Sequence, residues 1–146
     1  MSPEWVAGFF DGEGYVGIRK DSGARHHKPN PSYTLYVCLT NQDKGPLELL
    51  CQQFGGDIQK SGGKTKPVYC WRVSANKATL FLQHILPYSL VKRVQIELGL
   101  EFQETRGLGG GRGRPLTEDD WMLREAYYQE LMAQKWVVGG VSFAST

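Results

Sequence analysis

Along this chain the apolar positions alternate between helical spacing and period two, and each change of period marks an element. Trp5, Val6, Phe9 and Phe10 recur at helical spacing behind Ser2-Pro3-Glu4, which supplies an N-cap, a proline at the first helical position and an acid against the dipole. The spacing predicts a helix to about Asp11, stopped by Gly12 and Gly14. Tyr15 to Lys20 then reads as a short strand with Val16 and Ile18 on one face. After a polar loop, Tyr33, Leu35, Val37 and Leu39 alternate with Thr34, Tyr36, Cys38 and Thr40, the signature of an antiparallel strand buried on one side. Gly45-Pro46 opens a helix carrying Leu47, Leu50, Cys51 and Phe54, and Gly55-Gly56 closes it. A hairpin over residues 57–60 and 68–73 follows. Two more helices carry Ala78, Phe81, Leu82 and Ile85, ended by Pro87, and then Val91, Val94, Leu98 and Phe102. Thr117-Glu118-Asp119-Asp120 caps a final amphipathic helix to about Lys135. The predicted order is α-β-β-α-β-β-α-α plus a C-terminal helix, an α+β domain with helices gathered on one face of the sheet.

A length of 146 residues with 40% hydrophobic and 12% aromatic side chains supports one packed core and excludes disorder, collagen and coiled coil. From Gly107 to Gly113 five of seven residues are glycine, which divides the chain into 1–106, a linker 107–115 and a C-terminal helix and tail 116–146. No stretch approaches the roughly 18 apolar residues of a membrane span, and no signal peptide is visible. Cys38, Cys51 and Cys70 are odd in number and form no CxxC pair, which argues against a disulfide framework or zinc knuckle and for a reduced, intracellular protein that is not secreted. The net charge of +2 is uneven: residues 1–18 carry −3, 19–72 carry +5, 73–114 carry +3 and 115–146 carry −3. A basic middle between acidic ends points to a polyanion, although solvated loops produce the same pattern.

Gly12-Glu13-Gly14-Tyr15-Val16-Gly17 formally matches GxGxxG. A dinucleotide site needs that pattern after a strand and before a helix, whereas here it follows a helix and opens a strand. Glu13 would also repel a phosphate unless a metal intervened, so no nucleotide cofactor is expected. The helix ahead of it says more. Trp5, Val6, Phe9 and Phe10 fall within an arc of about 140°, and Ala7, Gly8, Asp11 and Gly12 occupy the other side. A helix with almost no side chain on one face is built to meet another backbone closely.

Val6-Ala7-Gly8-Phe9-Phe10-Asp11-Gly12-Glu13-Gly14 resembles the motif of the LAGLIDADG homing endonucleases, with Val and Phe at its aliphatic positions. The element order, Leu39-Thr40-Asn41-Gln42-Asp43, Phe54-Gly55-Gly56 and Pro87-Tyr88-Ser89-Leu90-Val91-Lys92 resemble the same family, over about residues 3–105. The resemblance implies an α-β-β-α-β-β-α core whose four-stranded antiparallel sheet forms a DNA saddle. It implies a site-specific double-strand DNA endonuclease encoded in a mobile element, acting at a long pseudo-palindromic site. One motif rather than two implies a homodimer joined through Ala7, Gly8, Asp11 and Gly12. Glu13 and the carbonyl of Gly12 are then the metal ligands for Mg²⁺, with Mn²⁺ substituting and Ca²⁺ supporting binding without cleavage. Lys92 takes the basic active-site position, and Asn41 or Gln42 the polar, water-positioning one.

By strand alternation the outward, DNA-reading face is expected to hold Tyr15, Gly17 and Arg19, then Ser32, Thr34, Tyr36 and Cys38, with Lys60 and Arg72 from the hairpin. Lys20, Arg25, His26, Lys28, Lys64 and Lys66, in or beside loops, are expected to grip phosphates. Any one of these residues is equally a solvated surface side chain; their collection on one face carries the expectation. The alternatives on the same scaffold are an intron RNA maturase or a DNA-binding regulator that does not cut.

Overall fold

The computed structural model describes residues 1–21, 31–62, 65–106 and 117–134, with the backbone of 137–138 and 141–142. Helix α1 (Pro3–Glu13) begins where Ser2 Oγ accepts the Trp5 N–H at 3.1 Å and runs two residues past its expected end. Strands β1 (Gly14–Asp21) and β2 (Ser32–Asn41), helix α2 (Lys44–Phe54), strands β3 (Asp57–Ser61) and β4 (Val68–Ser74), and helices α3 (Ala75–Ile85) and α4 (Arg93–Thr105) follow the predicted order. A 3₁₀ turn, Leu86–Tyr88, separates the last two helices. The four strands form one antiparallel sheet in the order β1-β2-β4-β3.

The core lies between the sheet and the helices. Val16, Ile18, Tyr33, Leu35, Val37, Leu39, Trp71 and Val73 point inward from the strands and meet Val6, Phe10, Leu47, Leu50, Phe81, Ile85, Ile96 and Phe102 from the helices. Each of these is 6% exposed or less, so the alternation on β2 records a sheet with one covered face. Gly99 brings α4 close to the sheet: a β-carbon there would stand 3.0 Å from Val16 and 3.1 Å from Leu35.

Helix α5 (Glu118–Gln134) is not a separate unit. Leu131 is buried in the same core cluster, Trp121, Tyr127 and Tyr128 pack against it, and Glu125 holds Lys20 and Tyr33. The helix packs on α4 and β1 and so covers an edge strand that would otherwise offer unpaired backbone groups. The glycine-rich segment 107–115 lies outside the described residues. Two-residue strands β5 (Val137–Val138) and β6 (Val141–Ser142) form a small ladder that the sequence pattern did not announce. No helix among the described residues is long and apolar enough to cross a membrane.

Candidate functional site

Glu13 closes α1 and Gly14 opens β1 with no residue between. A β-carbon on Gly14 would stand 2.1 Å from Cδ2 of Phe10, so only glycine lets the chain pass from helix to strand over that buried ring. This sharp exit leaves Glu13 exposed. Its carboxylate borders an open cleft of about 420 Å³ shared with Thr40, Asn41, Gln42 and Val68. Asn41 Oδ1 accepts the Asp43 N–H at 2.8 Å, and Asp43 Oδ1 accepts the Gly45 N–H at 2.9 Å to cap α2. Asn41 therefore shapes the turn, and Gln42 is the exposed carboxamide at the cleft.

Asp11 faces its own chain. Its carboxylate accepts from the Ser89 hydroxyl and from the backbone N–H groups of Leu90 at 2.8 Å, Val91 at 3.2 Å and Lys92 at 3.2 Å. Burial raises the Asp11 pKa, but these four bonds outweigh it and hold the carboxyl below the ordinary value. The bond is returned: Lys92 Nζ donates to the carbonyls of Asp11 at 2.8 Å and Phe10 at 3.4 Å, so a cation caps the negative end of α1. Burial pulls the Lys92 pKa down, against the charges of Asp11 and Glu13, which raise it. Ion and helix end are thus fastened to each other beside Glu13.

The small face of α1 differs from the expected one. Ala7 is fully buried in the core of its own chain, because the arc covered by the sheet and α3 centres on Val6, Ala7 and Phe10. Asp11 is occupied by residues 89–92. What lies open is Trp5, Gly8 and Gly12, and a β-carbon on either glycine would meet nothing within 4 Å. Exposed Tyr88, Leu90 and Val91 lie on the neighbouring turn.

The register fixes the outer sheet face. Tyr15 pairs Cys38, Gly17 pairs Tyr36 and Arg19 pairs Thr34; Cys38 pairs Arg72, which pairs Asp57. Gly17 lies beneath the rings of Tyr15 and Tyr36, whose centroids are 5.6 Å apart, and the Arg72 guanidinium stands 4.8 Å above Tyr36. Arg19 pairs with Asp21 at 3.3 Å, and Ser32 and Lys66 are exposed. Two expectations are corrected. Lys60 lies opposite Tyr69, on the helix side, because Ile58 sets the parity of β3 by pairing with Trp71. Lys20 lies opposite inward-facing Tyr33, at the end of β1 where α5 crosses, and its ammonium pairs with Glu125. The hydrogen bond to Glu125 outweighs desolvation there and raises the Lys20 pKa. In place of Lys60, the outer face receives Gln59 and Ser61 from β3 and Cys70 from β4. Counting by twos from Ile58 puts Lys60 on the inner face and leaves Gln59 and Ser61 outward. Arg25, His26, Lys28 and Lys64 lie outside the described residues.

The family model of the LAGLIDADG endonuclease matches residues 6–99. No curated protein matches the chain. Among solved structures, an archaeal intron-encoded homing endonuclease, I-Vdi141I, complexed with DNA, is 18% identical over 98% of this chain and 88% of that one, with a TM-score of 0.74. The homing endonuclease I-CvuI, in complex with the I-CreI target and Mg with the DNA not cleaved, is 16% identical over 89% of this chain and 94% of that one, at 0.61. I-SmaMI bound to cleaved DNA is 22% identical over 98% of this chain but only 46% of that one, at 0.68. At these identities the structures show a shared fold.

Proposed function

The chain belongs to the LAGLIDADG endonuclease family, and from that premise we propose that it is a homodimeric, divalent-metal-dependent endonuclease cutting double-stranded DNA at a pseudo-palindromic site. The observation that carries this reading is the exposed carboxylate of Glu13 at the end of a helix whose outer face is bare at Gly8 and Gly12. Two copies packed through that face bring two Glu13 carboxylates together, which repel each other unless cations stand between them.

The donor set fits a hard cation. The cleft offers the Glu13 carboxylate and the side-chain carbonyls of Asn41 and Gln42, all oxygen ligands. In the proposed dimer a Glu13 carboxylate from the second copy would add to this set. Glu13 and the Gly12 carbonyl are the proposed ligands for Mg²⁺, which when bound supplies Lewis acidity for activating water and offsetting charge on the leaving 3′ oxygen. Glu13 would hold the cation that offsets its repulsion of the scissile phosphate. Lys92, fixed by the carbonyls of Asp11 and Phe10, places a cation beside the same centre for the charge that grows on the phosphoryl oxygens. Gln42 orients water from the rim of the cleft.

The outer sheet face is the proposed reading surface. Arg72 is held over Tyr36 and is the residue best arranged to meet a base edge in the major groove. Arg72→Ala is expected to relax sequence preference at one position in each half-site, costing about 1–3 kcal/mol there. Equal weakening across all sequences, measured by binding selection, would remove Arg72 from the readout. Gly8→Leu is expected to hold the two α1 helices apart and give a monomer in sedimentation, since the site for that side chain is open only in the free chain. A wild-type chain that sediments as a monomer both with and without DNA would overturn the dimer. The reading as a whole is tested by sequencing the cleavage products of a randomised duplex library with Mg²⁺; selection of a bound duplex that is never nicked would favour a maturase or regulator.

A further inference from the structure

Three cysteines that the sequence scatters at positions 38, 51 and 70 are not equivalent in the fold. The β2–β4 register sets Cys38 opposite Arg72 and Cys70 opposite Thr40, so the two cysteines are diagonal neighbours on the outer sheet face. Their sulfurs stand 2.7 Å apart and both residues are half-buried and unbridged. Cys51 is elsewhere, on α2, where its thiol donates to the Gly56 carbonyl at 3.2 Å.

We propose that Cys38 and Cys70 form an oxidisable dithiol site on the outer sheet face, which a hydroperoxide converts into an intrachain disulfide joining β2 to β4. Two backbone strands already hydrogen-bonded to each other hold the sulfurs 2.7 Å apart, so bridging shortens an existing contact. Burial and the adjoining Cys70 sulfur push the Cys38 thiol up to about 12, with the Arg72 guanidinium pulling the other way. One of the two sulfurs, having given up its proton, attacks hydrogen peroxide; the O–O bond breaks, that proton leaves with the departing oxygen as water, and the attacking sulfur becomes a sulfenic acid. The other sulfur then attacks it, and its proton leaves with the hydroxyl as a second water. Two thiols lose two electrons, and one hydroperoxide takes them. The site is independent of the nuclease reading; only its shielding by DNA rests on it.

The reduced full chain is treated with hydrogen peroxide, alkylated and digested without reductant. Mass spectrometry is expected to show a Cys38–Cys70 linked peptide within one chain and alkylated Cys51, with the link undone by dithiothreitol. Cys51→Ser should leave the link intact, and either Cys38→Ser or Cys70→Ser should abolish it. Separate alkylation or overoxidation of Cys38 and Cys70 in the wild-type chain, or links through Cys51 or between chains, would overturn the proposal without reference to any variant. A second arm adds a duplex enriched from a random library by binding in Ca²⁺. Bridging should slow by about tenfold, since access to the attacking sulfur governs its rate. Unchanged bridging on saturating duplex leaves the dithiol standing and removes DNA from this face.

Discussion

Glu13→Gln is expected to lower DNA cleavage by about a hundredfold or more while folding, dimerisation and DNA binding survive, on the scale at which one charge-stabilising group is felt in a transition state. The substitution keeps the size of the side chain and changes only its charge. Because Glu13 is exposed at the end of α1, the amide meets no new buried neighbour and the core is untouched. In the proposed dimer the two Glu13 carboxylates would repel each other and the DNA backbone, so their removal should hold or tighten binding measured without metal. Ca²⁺ in place of Mg²⁺ should act on the wild-type chain in a related way, keeping binding and stopping cutting. The measurement is a labelled duplex carrying the selected site, scored separately for gel shift and for nicking. A Glu13→Gln chain that nicks at the wild-type rate removes Glu13 from the site.

Most of the elements were legible because their physical causes are local. Ser2-Pro3-Glu4 fixes the start of α1, and Tyr33, Leu35, Val37 and Leu39 fix both β2 and its inner face. The readings that failed depend on partners distant in sequence. A helical wheel groups Trp5 with Val6, Phe9 and Phe10 and puts Ala7 on the small face, yet which arc of α1 is covered is decided by the sheet and α3, and Ala7 is inside while Trp5 is 47% exposed. Lys20 alternates inward on β1, and α5, more than a hundred residues later, supplies the Glu125 that holds it. Lys60 is expected on the outer face, whereas Ile58 opposite Trp71 sets the register and turns Lys60 to the helix side. The motif itself announced Glu13, but nothing near Asp11 in sequence announces its acceptance of three backbone N–H groups from residues 90–92.

Asp11→Asn is expected to destabilise the chain by about 1.5–3 kcal/mol at neutral pH, the range for hydrogen bonds that involve a charged partner, and to lower cleavage more than DNA binding. The carboxylate has two oxygens and accepts four donors. An amide offers one oxygen, and its NH₂ group turns further donors toward backbone N–H groups that then lack acceptors. The loosened turn carries Lys92, the N-cap of α4, whose ammonium reaches back to Asp11 and Phe10, so the cation beside Glu13 loses its placement. The pH dependence separates this account from a simple packing defect. Hydrogen bonds hold the folded Asp11 pKa below its ordinary value, so its stabilisation is fully present above the unfolded value of about 3.9 and is lost as pH falls through the folded one. The stability gap between wild type and variant should therefore be largest near neutral pH and narrow below about pH 4. Urea unfolding of both chains at pH 7, 5 and 3, at one fixed protein concentration because a dimer's stability depends on it, measures the gap. A gap that is absent at pH 7, or that stays constant down to pH 3, would show that the carboxylate charge is not what fastens residues 89–92 to α1.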